Sequence, residues 1–99
     1  MGDSFHQNQI IRAEIEQSLI DFVRTDLGVC MTLATVAETA YSMGHREHAN
    51  RSVASAEKGY SDMLRYFLRA RGKTPEVEME LWSKFQQLRD RLDVLQQRK

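Results

Sequence analysis

His45 and His48 stand three residues apart with Glu47 between them, a spacing that puts both imidazoles on one side of a helix. Zinc or iron needs three or four convergent ligands, and this pair supplies two. Neither paired Glu-x-x-His motifs nor a His-Glu-x-x-His motif accompanies them, and Cys30 lies more than a helical turn away along the chain. A phosphotransfer histidine would also stand exposed on a bundle helix. The Lys-Gly that closely follows such a residue is replaced here by Ala49, Asn50 and Arg51. Solvated turn histidines are the expectation, with no metal and no cofactor.

Cys30 sits among Val29, Met31 and Leu33, so it reads as a buried, inert thiol and not a nucleophile. No Ser-His-Asp spacing, glycine-rich phosphate loop or isolated acid pair in an apolar setting is present, and no enzyme activity is expected. The clearest charged cluster is Arg65, Arg69, Arg71 and Lys73. Cations at a helix C-terminus are favoured by its dipole, and Glu76, Glu78 and Glu80 follow to neutralise part of the cluster. The cluster's functional reading is a surface for an acidic partner or an anionic ligand group. Tyr66 and Trp82 complete that candidate surface if they face outward, because large aromatics dominate binding hot spots.

These residues belong to a chain of 99 residues, enough for one core and therefore one domain over 1–99. Fourteen basic and fourteen acidic side chains cancel, which disfavours a nucleic-acid binder and an acidic disordered tail. The balance hides a division. Residues 1–50 hold three basic and seven acidic residues, and residues 51–99 hold eleven and seven, so complementary faces of one folded unit are expected. One cysteine excludes a disulfide-stapled scaffold. The chain shows neither a membrane-spanning apolar run nor signal-peptide character at its start, so a soluble, cytoplasmic protein without membrane partners is expected.

Helical periodicity is nearly unbroken. One stripe runs Ile15, Leu19, Phe22, then past Asp26 to Val29, Leu33, Val36, Ala40 and Met43; Leu27 can cover the Asp26 turn. A second runs Ala49, Val53, Ala56, Tyr60, Met63, Phe67, Ala70, and a third Val77, Leu81, Phe85, Leu88, Leu92, Leu95. Their 3.5-residue average suits helices packed at shallow angles. Ser4 and Gln7 fit a capping box, Gly44 and Gly72 fit left-handed helix ends, and Thr74 with Pro75 fits a helix start. The prediction is an all-α antiparallel bundle of three long helices at about 5–43, 46–71 and 75–97.

Length then becomes the functional clue. At 1.5 Å per residue the helices span roughly 58, 39 and 35 Å, so the second ends level with about residue 18 of the first. Ile10, Ile11 and Ile15 would project uncovered. Either the chain breaks near residues 25–28 and folds back as a fourth helix, or the helix continues and the overhang is buried against another subunit. Gly28 costs only about 1 kcal/mol in a helix interior, too little to force a break. The expected function is a non-catalytic interaction module. It would self-associate through Ile10, Ile11 and Ile15, with a dimer favoured and a further, unidentified protein partner. The alternative is a regulatory or ligand-binding bundle that recognises an anionic group at residues 65–73.

Leu33, Val36, Ala37, Ala40, Gly44, Ala49, Val53 and Ala56 are spaced so that residues 33–56 resemble a single tetratricopeptide-type helical hairpin. The same pattern is similar to hairpins of the microtubule-interacting-and-transport three-helix module. The resemblance implies a close-packed antiparallel hairpin and an interaction role. It departs from the repeat in having no second copy, no aromatic positions and no proline after the second helix.

Overall fold

The computed structural model describes the backbone of residues 2–99 and the side chains of residues 11–99. Three helices form an elongated all-α bundle: α1 (Gly2–Ser42), α2 (Arg46–Arg69) and α3 (Pro75–Gln96), with overall extents of 65 × 22 × 15 Å. α1 is one continuous helix through Gly28, so the four-helix fold-back does not occur. Nothing lies within 4 Å of where a Gly28 Cβ would stand, so no packing contact there competes with helical continuity. The helical backbone already includes Ser4, which therefore does not cap α1. The side chains of Ser4, Gln7 and Ile10 lie outside the described residues.

Local chemistry sets the turns. Gly44 takes φ +80° and ends α1, with the His45 amide donating to Ala40 O at 2.8 Å and the Gly44 amide to Tyr41 O at 3.1 Å. This crossed pair satisfies carbonyls that the helix end would leave open. α2 ends earlier than expected. Ala70 already adopts an extended conformation, and Gly72, at φ +72°, bends the linker and does not cap the helix. Lys73 Nζ reaches back to Phe67 O at 2.7 Å and takes one of the final carbonyls. Thr74 Oγ1 accepts from the Val77 amide at 3.2 Å, and Pro75 opens α3 as predicted.

The second and third stripes are core. Ala49, Val53, Ala56, Met63 and Phe67 of α2, followed by Ala70 at its C-cap, are buried with Leu81, Phe85, Leu88, Leu92 and Leu95 of α3. Tyr60 and Val77 pack at the margin. The first stripe is not. α1 buries Ile20, Val23, Leu27, Cys30, Ala34 and Ala37, a line one position further round the helix. Of the predicted stripe only Ala40 is buried; Leu19 and Leu33 are half-buried. Both lines step by three and four, so spacing alone does not choose between them. Small residues mark the inner line: Ala34 and Ala37 share the core with Val53 and Ala56 of α2, and Gly59 comes close to Cys30. A Cβ on Gly59 would stand 2.4 Å from Cys30 Sγ.

Polar ties fix α3 against the hairpin. Arg24 grips Glu80 through two hydrogen bonds of 2.7 and 3.0 Å, and Arg89 grips Glu57 at 2.6 and 2.9 Å. Arg91 joins Glu38, Thr35 and the Met31 carbonyl. The Arg24 guanidinium holds the Glu80 carboxyl down to about 2, and the Arg89 hydrogen bond likewise lowers Glu57. Of these three interhelical pairs only Glu38–Arg91 joins an acid of the first half to a base of the second. The halves thus meet mainly through apolar packing and not through their opposite charges.

Candidate functional site

The overhang predicted from helix lengths is present. Glu16 of α1 lies where a Cβ on Gly72 would be, and Phe22 packs edge-on against Tyr66 with ring centroids 6.1 Å apart. The last turn of α2 therefore sits beside residues 16–22 of α1, and the chain before that level extends past the body. Ile11 and Ile15 are exposed; Ile10 lies outside the described side chains.

The uncovered surface does not stop at the overhang. Ile15, Phe22, Val29, Val36 and Met43 recur every seven residues and are exposed by 62, 51, 50, 36 and 63%. From Phe22 onward its spacing predicts a place in the core, yet it faces outward along the full length of the body. A seven-residue repeat stays nearly in line on a helix of 3.6 residues per turn, drifting about 20° per repeat. The exposed residues from Thr25 to Met43 are threonine, glycine, valine, serine and methionine, and none carries a charge. Of the two acids in that interval, Asp26 is half-buried and Glu38 is paired with Arg91.

Hydrogen bonding makes this face drier than its composition suggests. Thr32 donates to Gly28 O at 3.1 Å, Thr35 to Met31 O at 3.2 Å and Ser42 to Glu38 O at 3.0 Å. Those hydroxyl protons are spent within the helix, so at Thr32 the methyl remains to meet a partner. At the Gly44 end, Val36, Thr39, Ala40, Met43, His45 and His48 line an open groove of about 350 Å³ between α1 and the start of α2. Both histidines are exposed, and no group of three or more metal-ligating side chains occurs among the described residues.

The other predicted site residues are dispersed. Lys73 is turned inward, with Nζ on Phe67 O and 4.6 Å from the centre of the Phe67 ring. Arg65 reaches Asp62 at 3.9 Å, while Arg69 and Arg71 extend into solvent. None of the four lines the groove at Met43 or the groove of about 440 Å³ beside Trp82. Tyr66 leans on Phe22 of α1, whereas Trp82 packs edge-on against Phe67 at 5.2 Å on the α3 side. The two aromatics are therefore half-covered and belong to different faces. Cys30 is buried as expected, and burial followed by the charge of Asp26 pushes its thiol up to about 11, which removes it from thiolate chemistry at neutral pH.

Helix lengths disclose the overhang but not the outer line, because an apolar stripe at helical spacing ordinarily faces a core. The usable signal was the charge gap from Leu27 to Ala37, together with threonines at 25, 32 and 39, also seven apart. No helix among the described residues is long and apolar enough to cross a membrane, so that gap is not a spanning segment. No protein-family model, no curated protein and no solved structure matches the chain.

Proposed function

We propose that the protein is a non-catalytic helical interaction module that self-associates through the N-terminal part of α1. The observation that carries this reading is the overhang. Ile11 and Ile15 stand exposed on a helix that outruns both of its partners. Apolar side chains presented on a rigid, extended helix are suited to insertion against another surface, and water-facing isoleucine favours any arrangement that covers it. Ile10 belongs to the same proposed contact.

Light scattering across a concentration series tests the proposal. The wild-type chain is expected at twice its monomer mass, and the double substitution Ile11→Asp, Ile15→Asp is expected at the monomer mass with its helical content kept. A wild type that stays monomeric at several hundred micromolar would remove the proposal.

A further inference from the structure

Two isoleucines fall well short of the roughly 800 Å² per partner that a stable interface buries. A contact through the overhang must therefore recruit more surface, and the line continuing from Ile15 to Met43 is contiguous with it. We propose that the occupant of this face is a second copy of the chain lying antiparallel along α1. The overhang of each copy then seats in the groove at Val36, Ala40 and Met43 of the other. This rests on the self-association reading above and specifies its geometry.

Charge placement argues for a second copy and for its direction. The row one position ahead of the apolar line is Glu14, Asp21, Gly28, Thr35 and Ser42: acidic in its first half and uncharged in its second. Parallel pairing would set Glu14 beside Glu14 and Asp21 beside Asp21 of the other copy, which like charges resist. Antiparallel pairing sets each acidic half against an uncharged half. The turn end of the bundle adds attraction, since Arg46 and Arg51 there outnumber the single acid Glu47. A two-fold contact joins one patch to itself, and an even seven-residue line is self-complementary under that operation. With the axis between residues 25 and 26, Ile15 meets Val36 and Phe22 meets Val29. Ile11 falls against the groove at Ala40, so both exposed isoleucines of the overhang are covered. The contact then runs roughly 44 Å between Ile11 and Ala40.

Cross-complementation between two variants tests the register. Ile15→Lys and Val36→Glu each place a charge in both contacts of a homodimer, and each is expected to weaken self-association by more than about tenfold. Mixed together, they place both charges in one contact and leave the other native, so sedimentation of the mixture should recover the dimer. Both positions are on the surface, so unchanged thermal melting of the monomer separates loss of contact from loss of fold. If Ile15→Lys abolishes the dimer while Val36→Glu leaves it intact, the overhang reading stands and the antiparallel groove is wrong. Failure of the mixture to recover the dimer also overturns the antiparallel register. A monomeric wild type overturns both readings.

Discussion

α1 carries two apolar lines about a quarter-turn apart, and they have opposite fates. The inner line, from Ile20 to Ala37, is sealed by α2 and α3; the outer line, from Ile15 to Met43, is left to solvent. The inner line narrows to alanine at Ala34 and Ala37, while the outer line keeps phenylalanine, valine and methionine. Cores close-pack by matching shapes, so a residue that lets two helix backbones approach is worth more there than one with more surface. On the outer face Phe22 meets Tyr66 edge-on, and the line as a whole stays exposed to solvent. Hydrophobicity thus marks both lines, and steric fit chooses which one the fold uses.

The sharpest way to separate the faces is to remove one large side chain from each. Leu27→Ala empties a fully buried site and is expected to cost about 2–5 kcal/mol in chemical unfolding. Val29→Ala, two residues on, is expected to cost the monomer under about 1 kcal/mol, chiefly through its small loss of buried area. Comparable losses at the two sites would show that the outer line is core after all.

The glycines extend the comparison. Gly59 faces the inner line, where a methyl group would overlap Cys30 Sγ, so Gly59→Ala should lower stability by about 1–3 kcal/mol despite its better helix propensity. Gly28 is exposed and meets nothing, so Gly28→Ala should raise thermal stability by about 1 kcal/mol. Substitutions identical in chemistry should move the melting temperature in opposite directions.

The smallest expected effect concerns pH. Glu80 has its carboxyl depressed in the folded state, so its pairing with Arg24 stabilises the protein above the ordinary carboxylate range. That contribution is lost as pH falls through about 4 towards 2. The pair is more than a third exposed at Glu80, so solvent screening limits it to below about 1 kcal/mol. Glu80→Gln should therefore be slightly less stable than wild type at pH 7 and indistinguishable from it near pH 2. A gap that widens on acidification would contradict the assignment.

The architecture was legible because its signals are local. The left-handed turn at Gly44, the Thr74 cap and the stripes of α2 and α3 each follow from a few neighbouring residues. Even the overhang was available from sequence, since helix length converts directly to distance. The inner face of α1 was not, because Leu27 and Val29 are equally apolar and only packing against α2 and α3 distinguishes them. Arg89 and Glu57, which pair across α2 and α3, also escaped notice, because the 32 residues between them give no local pattern. Lys73 neighbours three arginines in the sequence, whereas folding turns it onto the end of α2.

The central claim is that the outer face of α1 is an interface left open in a single chain. Sedimentation equilibrium on wild type and Val29→Glu tests it most directly, since Val29 lies within the uncharged stretch and well away from the overhang. The account predicts a dimer for wild type and a monomer of unchanged melting temperature for the variant. A wild-type monomer, or a variant that dimerises as wild type does, would contradict it.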